Sequence, residues 1–293
     1  MTELRTRAVA ANLLLSSRPV SWVNTAYPFA AAYLLAAGTV DLPLVVGTLF
    51  FLVPYNLAMY GINDVFDYES DMLNPRKGGV EGAVLERPLH RATLAAAVLL
   101  PLPFVLYLLA AGSWASGLVL VLSLFAVAAY SVPGLRFKER PFLDSATSSF
   151  HFVSPALFGL VLAGADFTAG LWAVLAAFFL WGVASQAFGA VQDIGADRQA
   201  GVGSVATVLG AAATVRFALA AYAAAGLLML LTGFPGALAA LLAVPYLANI
   251  WPFRRLADAD AARSNAGWKR FLWLNYATGF LVTLLLIWYA AAG

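Results

Sequence analysis

Nine apolar runs constrain this chain more than any other feature, each about as long as a helix needs to cross a bilayer. They lie near residues 19–38, 43–63, 93–111, 116–133, 146–164, 168–188, 211–231, 236–253 and 271–291. Strands of a membrane barrel would be about 10 residues long and would alternate in polarity; these runs do neither. The expected fold class is therefore all-α, a polytopic membrane protein with nine transmembrane helices in a bundle. A single domain is expected over residues 1–293, built from two pseudo-repeated four-helix halves, about 19–133 and 146–253, plus a ninth helix at 271–291. Composition agrees, since 62% of the residues are hydrophobic and 11% are charged, against about 25% charged in a soluble domain. That balance excludes a soluble enzyme, a disordered chain and a secreted disulfide scaffold. A net charge of +2 is no nucleic-acid footprint. With no cysteine, thiolate metal sites and cysteine nucleophiles are excluded as well. Residues 1–17 do not read as a signal peptide, because they lack a cleavage site and run into the first apolar stretch.

Basic residues set the orientation. The short connections after odd-numbered runs contain no Lys or Arg, whereas all 17 basic residues fall on the side of the N-terminus. The N-terminus is therefore expected to be cytoplasmic and the C-terminus outside. Thirteen of the 15 acids share the basic face; Asp41 and Asp166 lie opposite. Topology accounts for the Lys and Arg but not for the acids, which the positive-inside rule largely ignores. Any chemistry is expected at the cytoplasmic face.

Two acidic clusters stand there. The first, Asn63-Asp64-Val-Phe-Asp67-Tyr-Glu-Ser-Asp71, closes the second run. At 100° per residue, Asn63, Asp64, Asp67 and Asp71 share an arc of about 100°, with Tyr60 on the same face. The second, Gln192-Asp193-Ile-Gly-Ala-Asp197-Arg198, closes the sixth run and puts Asp193 and Asp197 one turn apart. Carboxylates so spaced repel one another, so a cation is expected to gather them. Oxygen-only ligands favour Mg²⁺, with Mn²⁺ the other option, and such an ion completes its shell with water and phosphate oxygens. Arg76, Lys77, Arg87, Arg136, Lys138 and Arg198 lie in the same loops as phosphate-sized cations. The bland alternative is a set of solvated helix-end charges. It suits one Asp-x-x-x-Asp better than two clusters at matching span ends.

These residues resemble the UbiA-type membrane prenyltransferases. Asn63-Asp64-x-x-Asp67-x-x-x-Asp71 matches the family's first motif, and Asp193-x-x-x-Asp197 with Gly201 and Thr207 matches the second. Tyr130-Ser-Val-Pro133-Gly-Leu-Arg136-Phe-Lys138-Glu-Arg140-Pro141 resembles the basic loop after the fourth span, with Gly134 where a second proline is usual. Arg87-Pro88-Leu89 resembles the Arg-Pro element after the first motif. The stretch from Asn63 to Ala83, with His151-Phe-Val-Ser-Pro155 and 188–201, is most similar to the bacterial lycopene elongase branch.

The resemblance implies a prenyltransferase with two Mg²⁺ ions, an allylic diphosphate donor such as dimethylallyl diphosphate, and an acyclic carotenoid acceptor such as lycopene. It implies a metal set of Asn63, Asp67, Asp71, Asp193 and Asp197, with Asp64 as an additional or outer carboxylate. Asn63 and the six cations named above are candidate diphosphate contacts, Lys138 and Arg198 foremost. Tyr60, Tyr68 and Tyr130 are candidate cation stabilisers, although aromatic residues are 13% of the chain and serve packing in most places. His151 is a candidate final base, beside Asp144, Glu139 and the diphosphate itself; His90 reads as a surface residue. The setting implied is the cytoplasmic face of a bacterial cytoplasmic membrane, among membrane lipids and without nucleic acid; partner carotenoid enzymes stay open. The alternatives are a UbiA-type enzyme for a quinone precursor, chlorophyll or an ether lipid, a cation-coupled transporter, and a non-catalytic membrane subunit. A transporter would place its acids near the bilayer midplane rather than at span ends.

Overall fold

A computed structural model describes residues 2–73 and 85–292, with only the backbone of residues 2–8, 70, 71, 73 and 292. Arg76 and Lys77 lie outside the described residues, as does the side chain of Asp71. Among the described residues every regular element is a helix, and eight stretches are long and apolar enough to cross a membrane. The protein is an integral membrane protein of the all-α class.

The chain divides into two compact units. The first comprises Met1–Phe137 and His151–Ala165. It holds α1 (Thr2–Ser16), α2 (Val23–Ala37), α3 (Leu42–Leu52), α4 (Pro54–Phe66), α5 (Tyr68–Leu73), α6 (His90–Leu99), α7 (Leu102–Ala111), α8 (Trp114–Ser131) and the later part of α9 (Leu143–Leu162). Its core is aromatic: Phe29, Phe50, Phe51, Tyr55 and Phe158 are fully buried, and the Phe51 ring lies 5.2 Å from Phe29 and 5.0 Å from Tyr55. α9 meets α2 at Gly159, where a β-carbon would come within 2.8 Å of the Phe29 carbonyl. Small residues permit this backbone approach in membrane packing.

The first expected span, near 19–38, is not one of these eight stretches. Its 3-10 turn Pro19–Ser21 leads into α2, whose 15 residues reach about 22 Å, short of the roughly 30 Å hydrocarbon core. The second expected span is continuous in composition but broken in backbone. Pro54 lacks an N–H, so it starts α4 rather than continuing α3. The Asn56 amide reaches back to the Phe51 and Leu52 carbonyls at 2.8 and 3.2 Å, satisfying acceptors that the end of α3 leaves unpaired. Pro155 acts alike within α9. It removes the helical partner of the His151 carbonyl, and the buried Tyr55 hydroxyl donates to that carbonyl at 3.3 Å.

The second unit comprises Lys138–Phe150 and Asp166–Gly293. It holds the start of α9, α10 (Ala169–Val191), α11 (Ile194–Ala200), α12 (Val205–Leu209), α13 (Ala211–Met229), α14 (Ala243–Ile250) and α15 (Asn265–Ala292). Small residues at Ala184, Ala211 and Ala218 sit in its core beside Phe188 and Tyr222, so α10 and α13 pack closely.

Candidate active site

The first motif sits where α4 ends. Asp67 caps that end, its N–H donating to the Asn63 carbonyl at 2.9 Å, and α5 restarts at Tyr68. The helical face expected to carry all four polar side chains is therefore interrupted at Asp67. The Asn63 amide donates to Asp67 Oδ2 at 2.6 Å and to Ser131 Oγ, at the end of α8, at 2.9 Å. Asp67 Oδ1 lies 3.9 Å from Arg136 Nη2, and its side chain is only 8% exposed. Asp64 turns elsewhere: its fully buried carboxylate accepts from Arg18 Nη2 at 3.0 Å. Burying a carboxylate is costly unless a cation answers it, and both Asp64 and Asp67 have an arginine.

Arg136 belongs to the basic loop after α8. Its φ of 41° follows Gly134 at φ 92°. Proline holds φ near −65°, so a proline at 134 could not make this turn. The glycine that departs from the family pattern is what the loop's backbone requires.

The second motif sits where α10 ends. Asp193 stands at the N-cap of α11, and Asp197 follows one turn later, with its N–H on the Asp193 carbonyl at 2.8 Å. Both side chains are half-buried, and Ile194 between them packs into the core. Gly201 closes α11 in the left-handed region at φ 70°. Gly203 then passes so close to the Glu139 carbonyl that a β-carbon would sit 2.6 Å from it. Ser204 and Thr207 form a capping box on α12, while Asp144 Oδ2 accepts the Val205 N–H at 3.0 Å. Lys138 is affected by the same acids. Burial pushes its ammonium down to about 8, against the upward pull of Glu139 and Asp197. Asp144 is thereby a brace for the segment after the motif rather than an obvious base.

Other sequence-selected residues have particular companions. Arg198 follows Asp197 but turns to Asp258 Oδ2 at 2.7 Å and to the Thr207 carbonyl at 2.8 Å. Asp258 in turn accepts the Ala211 N–H at 2.7 Å. Arg87 pairs with Glu69 at 2.9 Å, and its guanidinium stands 5.3 Å from the Tyr68 ring centroid. His90 meets the Tyr68 ring edge-on at 5.1 Å and bonds the Leu85 carbonyl at 2.9 Å. Tyr60 carries the Arg18 guanidinium 4.2 Å from its centroid. Tyr130 meets the buried His151 imidazole edge-on at 5.2 Å. His151 is buried, and its Nε2 makes no hydrogen bond. Sequence reading missed Arg18, Ser131 and Asp258; Ser131 at least adjoins Tyr130, which the basic-loop pattern had singled out.

The donors fit a hard cation in kind, being carboxylate and amide oxygens with no sulfur. Among the described residues no three His, Asp or Glu side chains gather tightly enough to hold a metal by themselves. Any ion on Asp67 or on the Asp193–Asp197 pair must therefore take further oxygens from water or from a phosphorylated ligand.

Acidic motifs thus stand at the ends of α4 and α10, each with basic residues close by. The profile of the UbiA prenyltransferase family matches residues 25–275, and the chain belongs to that family. It is 61% identical over 284 residues to the C(50) beta-cyclic carotenoids biosynthesis protein LbtBC of Dietzia sp. (strain CQ4), covering 97% of this chain and 66% of that one, just under two thirds of its length. It is 52% identical over 275 residues to the lycopene elongase/hydratase of Corynebacterium glutamicum, covering 94% of this chain and 96% of that one. The fold matches a UbiA homolog from Archaeoglobus fulgidus, solved bound to DMAPP and Mg²⁺, with a TM-score of 0.65 at 20% identity over 91% of this chain and 98% of that one. The chain is a membrane prenyltransferase.

Proposed function

We propose that this protein transfers a prenyl group, dimethylallyl in the first instance, from an allylic diphosphate to an acyclic carotenoid such as lycopene, in the synthesis of long-chain carotenoids. The observation that carries the reaction type is an acid with a cation near it at each motif: Asp67 lies 3.9 Å from Arg136, and the charge of Asp197 is felt at Lys138. That is what an enzyme holding a metal-bound diphosphate needs. The acceptor rests on the near full-length similarity to a lycopene elongase/hydratase.

Asn63, Asp67, Asp71, Asp193 and Asp197 are proposed to hold two Mg²⁺ ions. When bound, magnesium neutralises the charge that builds on the departing diphosphate. Arg136 and Lys138 bind the diphosphate oxygens; Arg76 and Lys77, outside the described residues, are proposed to join them. Arg87 and Arg198, each paired with an acid, serve the diphosphate only if those pairs open. Tyr130 presents its ring to the allylic cation. A terminal carotenoid double bond then attacks, and the new bond leaves a tertiary cation on the carotenoid. His151, whose ring lies 5.2 Å from Tyr130, is proposed to take the proton that ends the reaction. The setting is the cytoplasmic face of a bacterial cytoplasmic membrane.

The acceptor is tested by expressing the chain in cells that accumulate lycopene. Products heavier by one or two five-carbon units are expected. Unchanged lycopene, with a phenolic acceptor prenylated instead, would reject the carotenoid assignment.

A further inference from the structure

Asp64 belongs to the first motif by sequence, yet its carboxylate answers an arginine 46 residues away. Its carboxylate is fully buried and lies 3.0 Å from Arg18 Nη2, whose own side chain is 21% exposed. The guanidinium is held on a second side by the Tyr60 ring, 4.2 Å away. Tyr60 and Asp64 are one turn apart on α4, so one helix face supplies both a carboxylate and a π-face to the same cation.

Arg18 is built for this contact at a conformational cost. Among the described residues it is one of three non-glycine residues with positive φ, at φ 50° and ψ 75°. The turn around it is fixed on both sides. The Trp22 indole N–H donates to the Ser17 carbonyl and hydroxyl at 3.0 Å each, and the Ser17 hydroxyl donates to the Leu14 carbonyl at 2.7 Å. A left-handed arginine between α1 and Pro19 persists only where its surroundings hold it there. A buried carboxylate and an aromatic face do so.

We infer that Arg18 is a positioning residue that holds Asp64 as an anchor for the α1–α2 turn, so that Asp64 braces the first motif and is not one of its metal ligands. The end of α4 then has one carboxylate committed to the fold and another, Asp67, for the ligand. This rests on the metal–diphosphate reading above, and its test separates the two.

The probe is Mn²⁺ with inorganic pyrophosphate, followed by electron paramagnetic resonance on the full chain purified in detergent, alongside thermal melting without metal. Asp64→Asn keeps an oxygen for Arg18 and is expected to leave Mn²⁺ affinity within about threefold of the unaltered protein, while lowering the melting temperature. Asp67→Asn is expected to weaken Mn²⁺ by more than about tenfold. Arg18→Met leaves the buried carboxylate uncompensated and should lower the melting temperature further. Adding Asp64→Asn to Arg18→Met should restore part of that loss, which independent effects would not do. Loss of Mn²⁺ binding in Asp64→Asn equal to that in Asp67→Asn would overturn the inference. So would strictly additive melting losses in the double variant. Should Arg18→Met fail to fold, Arg18→Lys replaces it: charge is kept and planar stacking lost, and unaltered melting would count against the anchor. Unchanged Mn²⁺ binding in Asp67→Asn would instead reject the metal reading and leave the anchor standing.

Discussion

The two acidic motifs share a spacing but not an environment. At the end of α4, Asp64 and Asp67 are buried, each beside an arginine brought by a distant segment. At the end of α10, Asp193 and Asp197 are half-buried on a seven-residue helix, and the nearby ion pair between Arg198 and Asp258 is about 40–45% exposed on each side. The first motif is preorganised by charge in a poorly solvated place, where a lost partner is expensive. The second is held mainly by backbone: a glycine close, a capping box and one carboxylate on an N–H. Equal spacing in sequence therefore predicts equal chemistry but unequal sensitivity to mutation.

That contrast can be broken by substituting the supports rather than the motifs. Arg136→Met removes the cation beside Asp67 and should cost at least about tenfold in kcat/KM, as leaving a buried carboxylate without its counter-charge does; an unaffected enzyme would show that Asp67 does not depend on it. Gly203→Ala drives a β-carbon against the Glu139 carbonyl and should cost about 1–3 kcal/mol, read in thermal melting. Lys138 sharpens the comparison through pH. Its ammonium, pushed down to about 8, is charged below that pH and neutral above it. Pyrophosphate binding by the metal-free protein should weaken as pH rises from 7 to 9. Lys138→Arg, which stays charged, should flatten that profile. The smallest effect is expected from Asp258→Asn. Its pair with Arg198 is exposed and worth roughly 0.2–1 kcal/mol, so turnover should fall by no more than about fivefold; a collapse would show instead that Arg198 works only while Asp258 holds it in place.

Much of this was legible in sequence for a physical reason. Apolar runs and i, i+4 carboxylates are local patterns, and they located the spans and the acids at their ends. The Tyr130–Arg136 segment was legible too, because its basic residues follow a span directly. Contacts across sequence were not. Nothing local joins Arg18 to Asp64, 46 residues away, and a lone arginine at a span end is already accounted for by topology. The break at Pro54 was visible as a proline, but the helix end at Asp67, beyond which a 100° periodicity no longer applies, was not. Likewise Arg198 reads as a phosphate cation until Asp258, 60 residues on, is seen holding it.

The central claim is that both motifs serve one metal-dependent ionisation of an allylic diphosphate. Its most direct test is prenyl transfer in membranes supplied with dimethylallyl diphosphate, lycopene and Mg²⁺, comparing Asp67→Ala and Asp193→Ala with the unaltered chain. Each substitution alone is expected to lower turnover by at least about a hundredfold. Turnover within about tenfold of the unaltered chain in either variant would contradict the account.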